Sequence, residues 1–254
     1  MVGAVALLAI LSLAAAGKAA KDDTTLISIA QVVPGGKGNG FSGEVSPSAE
    51  GNIVAFSTTS NNLVAEDTSI DEDVYVRDTI AGTTTLITPG DGPDPGGGTQ
   101  PSISGDGTRV AFMSFEDLTS DDTNNQRDVY VYDFVTGETT LVSRPTGSGP
   151  APPMGSSSPA LSGDGSAVAF ISSDNTLDPA HDNDTTAGNF FSQDVFVRDI
   201  DTAKTELVSR NASTDGDRAS ARPSIDEDGS KVSFDTQAAN LAPADTDAEL
   251  DVYV

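Results

Sequence analysis

The chain has 254 residues, 36% of them hydrophobic, with no cysteine, no tryptophan, and 39 acidic against 13 basic residues for a net charge of −26. Without cysteine there are no disulfides, thiol nucleophiles, thiolate metal centres or lipoprotein anchor; a surface this acidic also repels nucleic-acid phosphates. Gly and Pro supply 39 residues, and thirty of the acids are Asp, which favours tight turns and short strands over long helices.

Taken in chain order, residues 1–20 open with the apolar run MVGAVALLAILSLAAA, followed by GKAA. A run of this length ending in small residues reads as a secretory signal, and it is short for a membrane span. No basic residue precedes it, which points to a start upstream of Met1; an uncleaved anchor is the alternative. The expected location is secreted or periplasmic, at the cell envelope, with no membrane span after cleavage.

From Thr24 onward one pattern recurs. SGEVSPSAEGNIVAFS (Ser42–Ser57), TQPSISGDGTRVAFMS (Thr99–Ser114), SSPALSGDGSAVAFIS (Ser157–Ser172) and ARPSIDEDGSKVSFDT (Ala221–Thr236) are four versions of it. Each leads through a leucine and an acidic loop to DVYVRD (Asp73–Asp78), DVYVYD (Asp128–Asp133), DVFVRD (Asp194–Asp199) or DVYV (Asp251–Val254). The turn glycines Gly51, Gly107, Gly165 and Gly229 set periods of 56, 58 and 64 residues, the mark of a repeat architecture.

In the second repeat PSIS, the SGDG turn and RVAFMS predict a hairpin, with Val110 and Phe112 on one face and Ala111 and Met113 on the other. DVYVYD and TTLVS (Thr139–Ser143) add a third and a fourth strand. Phe56, Phe112, Phe170 and Phe234 share one repeat position, and Tyr75, Tyr130, Phe196 and Tyr253 another, as equivalent stacked sheets require. The Gly-, Pro- and Ser-rich stretches between repeats read as connecting loops, so residues 24–254 form one domain with repeats over 42–88, 99–144, 157–210 and 221–254.

The fourth repeat stops at Val254, within its third strand, whereas TTLISIA (Thr24–Ala30) matches a fourth strand and precedes the first repeat. Two arrangements follow: four sheets closing into a ring through residues 24–30, or the N-terminal part of a larger ring. The abrupt end at DVYV favours the second.

The run Pro101–Arg144, PSISGDGTRVAF…DVYVYDFVTGETTLVSR, resembles the TolB-type propeller repeat, a relative of the WD-repeat propellers. The resemblance covers nearly all of 24–254. It implies an all-β propeller of four-stranded antiparallel blades, and an exported protein that binds other proteins or ligands at the envelope. The expected function is therefore a non-catalytic scaffold.

The chemically suggestive element is the loop before the third strand. DTSIDED (Asp67–Asp73), DTNNQRD (Asp122–Asp128) and DTDAELD (Asp245–Asp251) share Asp-Thr, four residues and Asp, each starting four residues after a leucine. Asp and Asn there satisfy backbone N–H groups in Asx turns, and this reading takes precedence. The alternative is calcium, with Asp67, Asp71 and Asp73, Asp122, Asn124 and Asp128, or Asp245, Asp247 and Asp251 as oxygen ligands of an extracellular adhesion or matrix module. No other cofactor is expected. The third repeat departs from the pattern: four residues after Leu177 stands His181, and its longer loop carries Asn189, Phe190 and Phe191, a candidate binding feature. Enzymatic readings come third, as a hydrolase with carboxylates at the channel mouth, because His181 is the single histidine and no GxSxG surrounds a serine.

Overall fold

The computed structural model describes residues 24–31, 36–88, 97–181 and 193–254. The candidate signal (1–20) and Asn189, Phe190 and Phe191 lie outside them. The described residues are all β, and none forms a helix long and apolar enough to cross a membrane.

The strands assemble as the repeats predict. Sheet one holds β3 (Ser42–Pro47), β4 (Ile53–Thr58), β5 (Asp73–Asp78) and β6 (Thr83–Leu86). Sheet two holds β7 (Gly98–Ile103), β8 (Arg109–Ser114), β9 (Asp128–Asp133) and β10 (Glu138–Leu141). Sheet three holds β11 (Ser156–Leu161), β12 (Ala167–Ser172), β13 (Asp194–Asp199) and β14 (Lys204–Leu207). Sheet four has three strands, β15 (Ser220–Ile225), β16 (Val232–Thr236) and β17 (Asp251–Tyr253). Every pairing is antiparallel between sequence neighbours, and β1 (Ile29–Ala30) pairs only with β2 (Gly36–Lys37).

Strand alternation places the core between successive sheets rather than within each. Val74, Val76 and Ile87 of sheet one pack against Val110, Phe112 and Tyr130 of sheet two. The opposite face of sheet two, Ala111, Val129 and Val131, meets Val168, Phe170 and Phe196 of sheet three. Ala169, Ile171 and Val195 then meet Val232 and Phe234 of sheet four. The two repeated aromatic positions face each other across neighbouring strands in all four sheets, with ring centroids 5.9 Å apart.

Each first hairpin turns on a glycine in the left-handed region, Gly51, Gly107, Gly165 and Gly229, with φ between 69° and 75°. The first strands carry a feature that no turn signal announced. A bulge interrupts each, between Gly43 and Ser46, Thr99 and Ser102, Ser157 and Ala160, and Ala221 and Ser224. The residue within it has positive φ although none is glycine: Glu44 (44°), Gln100 (56°), Ser158 (55°) and Arg222 (51°). Neighbouring sheets stabilise it, since Gln100 N donates to Glu44 Oε2 at 2.7 Å and Ser158 N to Gln100 Oε1 at 2.8 Å. Ile103 N likewise reaches Ser46 Oγ, and Leu161 N reaches Ser102 Oγ. The first strands are thus stitched side by side.

The two ends of the array differ from its middle. Val252 of β17 is 80% exposed where its equivalents Val74, Val129 and Val195 are 0% exposed. At the other end Ile27 and Ala30 pack on Phe56, Leu63 and Tyr75 of sheet one.

Candidate functional site

The acidic loops are built from two hydrogen-bonded locks. The first joins each third strand to its fourth. Thr88 Oγ1 donates to Asp73 Oδ1 at 2.8 Å while accepting from Val74 N. Ser143 with Asp128 and Val129, and Ser209 with Asp194 and Val195, repeat it. Asp73, Asp128 and Asp194 are buried. Burial pushes the Asp73 carboxyl up to about 6 and the Asp128 carboxyl up to about 7, against the hydrogen bonds that favour their charged forms.

The second lock ties the loop to the aromatic of the third strand. Tyr75 Oη donates to Asp67, Tyr130 Oη to Asp122, and Tyr253 Oη to Asp245 Oδ2 at 2.7 Å. The other oxygen of each acid closes an Asx turn, accepting from Ser69 N, Asn124 N and Asp247 N. Burial and then the acceptor carboxylate raise the Tyr75 and Tyr130 hydroxyls, which remain proton donors. Burial also raises Asp122. In the third repeat the aromatic is Phe196, which has no hydroxyl, and His181 stands where the acid would be. At the position four residues after the leucine, the acid is present in the three repeats that carry the tyrosine and replaced in the one that carries Phe196. This pairing was present in the sequence, four residues after each leucine, but it identifies itself only once the hydroxyl is seen to reach the carboxylate. His181 Nδ1 lies 3.0 Å from Asp215 Oδ1 and ties its loop to the approach of sheet four.

The candidate calcium ligands separate on this frame. In the first loop Ser69 Oγ donates to Asp73 Oδ2 at 3.0 Å, and in the second Asn124 Nδ2 donates to Asp128 Oδ2 at 2.7 Å. Asp71 takes part through its backbone, its N–H reaching Ser69 Oγ. In the fourth loop the corresponding residue is Asp247, a carboxylic side chain in place of the hydroxyl or amide donor. There Asp245, Asp247 and Asp251 bring carboxylate oxygens within 4.8 Å of one another, the one such acidic group among the described residues. Asp251 is exposed, and among the described residues sheet four has three strands.

A cleft of about 560 Å³ opens at the loop-bearing ends of sheets two and three, lined by Phe115, Asn125, Gln126, Arg127, Met154 and Gln193 among others. The carboxyls raised by burial, Asp73 and Asp128, do not line it.

No family model matches the chain, and no curated protein matches it in sequence. Solved structures do. TolB from Acinetobacter baumannii is 16% identical with a TM-score of 0.48, over 84% of this chain and 41% of that one. The β-propeller domain of the Trilobed protease from Pyrococcus furiosus is 12% identical with a TM-score of 0.48, over 85% of this chain and 54% of that one. Acylaminoacyl peptidase from Pyrococcus horikoshii is 17% identical with a TM-score of 0.46, over 85% of this chain and 32% of that one. The chain thus spans about half or less of the structures it resembles. These neighbours include TolB and other propeller proteins, and they correct one expectation. The scaffold reading and the exclusion of an enzyme rested on the TolB resemblance and on missing nucleophile motifs. Peptidases stand beside TolB among the similar structures, so a non-catalytic scaffold has no precedence over a hydrolase, and the chain is not classed as a non-enzyme.

Proposed function

We propose that the chain is an exported, calcium-dependent β-propeller unit whose fourth acidic loop holds the cation. The observation that carries this reading is the donor-to-acceptor exchange at Asp247. Where Ser69 and Asn124 donate a hydrogen bond to the following aspartate, Asp247 adds a third carboxylate. Carboxylates this close repel one another, and a cation held between them turns that repulsion into attraction. Ca²⁺ suits the exposed carboxylates of Asp247 and Asp251 beside the half-buried Asp245, with loop carbonyls and water completing its six to eight oxygens. The first two loops are self-sufficient and need no ion.

The sheets are blades of a propeller of the TolB type, and residues 24–30 are the fourth strand that a three-stranded sheet such as sheet four lacks. Three features support this. Ser28 occupies the repeat position of Thr88, Ser143 and Ser209. Ile29 N donates to Ile27 O as Arg144 N does to Val142 O and Arg210 N to Val208 O. Ile27 packs on sheet one much as Ile87 packs on sheet two. Export rests on the apolar N-terminal run.

Thermal unfolding in EGTA, Ca²⁺ and Mg²⁺ tests the reading on the natural protein and on Asp247→Asn. At a hundredfold excess over Kd, binding adds about 2.7 kcal/mol, a rise of roughly 5–10 °C for a domain of this size. Asp247→Asn recreates the Asn124 arrangement; it should be the more stable of the two in EGTA and lose the calcium response. No calcium shift, or an equal shift in the variant, removes the proposal.

A further inference from the structure

A second cleft, of about 350 Å³, lies between β9 and β10 of sheet two and β13 of sheet three. Arg109, Arg144 and Arg198, three of the 13 basic residues of the chain, line it together with the carboxylates Asp133 and Glu138. Two of them are buried, each 5% exposed.

Arg198 has no carboxylate at ion-pair distance among the described residues. Its guanidinium donates instead to neutral oxygens: the carbonyls of Arg144 (3.3 Å), Pro145 (3.1 Å) and Gly147 (2.8 Å), and Thr205 Oγ1 (2.8 Å). Arg144 reaches Asp121 through Nη1 alone, while its Nε and Nη2 are buried without a partner. Arg109 is matched by Asp133 at 2.9 Å. The buried Arg198 charge therefore has no direct ion-pair partner, only the more distant Asp199, and two guanidinium donors of Arg144 beside it are unused. Burial, followed by the neighbouring Arg144 charge, lowers Arg198 to about 10, as expected for like charges held together in a dry site. Leaving a charge and two donors in this state costs several kcal/mol unless an anion meets them.

We propose that this cleft is an anion site for a phosphoryl group, with the guanidinium groups of Arg198 and Arg144 as its charged floor. A planar fork of N–H donors matches the oxygens of phosphate better than a point charge does. Thr140 and Ser148 border the cleft with hydroxyls of the kind that complete such a site. The volume admits a small phosphorylated molecule. The inference is independent of the calcium reading, because no residue is shared between the two sites.

Calorimetric titration and thermal shift with inorganic phosphate, in calcium-free buffer at constant ionic strength against chloride, test the site. A saturable response is expected, at least tenfold weaker in Arg198→Met and in Arg144→Gln, and unchanged in the exposed control Arg222→Gln. Should Arg198→Met not fold, Arg144→Gln decides by itself. The absence of a saturable response at constant ionic strength overturns the proposal, as does an equal response in a folded arginine variant. Sulfate and acetate binding as tightly as phosphate would overturn the assignment to a phosphoryl group.

Discussion

Replacing Tyr130 by Phe isolates the lock between loop and strand. The ring is fully buried and stacks on Phe112, so the substitution keeps the packing and deletes one hydroxyl. That hydroxyl donates to Asp122, with the Glu116 carbonyl a second acceptor at 2.9 Å. Asp122 is 3% exposed, and without the donor one of its oxygens loses a charge-assisted partner that water cannot readily replace. A hydrogen bond to a charged group contributes about 1.5–3 kcal/mol, and Asp122 keeps its Asx-turn contact with Asn124 N, so a cost of about 2 kcal/mol is expected. For a domain of this size that is a fall in Tm of roughly 4–8 °C. Asp122→Asn retains the turn through its carbonyl oxygen and offers an amide to the tyrosine, so it should cost less, about 1 kcal/mol. The double variant approximates the third repeat, where Phe196 and His181 form no such pair, and urea unfolding of all four proteins should give a coupling of at least about 1 kcal/mol. A Tyr130→Phe cost below about 0.5 kcal/mol, or strict additivity, would show that the hydroxyl–carboxylate contact does not hold the loop.

Three other expectations concern different parts of the fold. Asp73 is held protonated to about pH 6 in the folded chain, against an ordinary value of 3.8. The fold therefore binds more protons than the unfolded chain between those values, and this stability, full below about pH 4, is lost as pH rises through 6. Asp128 extends the loss to about pH 7. Asp73→Asn preserves both contacts, because Ser69 can accept as well as donate; urea midpoints from pH 4 to 7 should show a shallower decline than the natural protein, and an unchanged slope would refute the assignment. Hydrogen bonds hold Asp106, Asp133 and Asp164 below the ordinary carboxylate value, so their stabilisation disappears as pH falls through those lowered values, and the stability maximum should lie near pH 4–5. Gly97→Ala should abolish folding or cost more than about 3 kcal/mol by the same assay, since its φ is 93° and an added Cβ would sit 2.1 Å from the Glu72 carbonyl oxygen.

Much of the architecture was legible in the chain. Phe112 and Tyr130 recur at fixed positions, Gly107 marks the hairpin, and the alternation through Val129 and Val131 assigns each face, because strand period and turn chemistry are local properties. Local reasoning fails where a residue's role depends on a partner far away in sequence. Gln100 adopts a conformation usual for glycine because Glu44, on the preceding sheet, accepts from its N–H. Asp73 and Asp128 have the spacing of calcium ligands, yet Thr88 and Ser143, just past the end of the next strand, engage them. Asp247 differs from Asn124 by one functional group, and only the folded loop shows that this group faces another carboxylate. Arg198 sits beside an aspartate in a strand motif and looks like a surface residue, until the packing of sheet three against sheet two encloses it. The repeat thus determined which strands form and in what order. Desolvation and contacts between sheets, which no short window of sequence contains, decided which charged groups find partners within the fold and which do not.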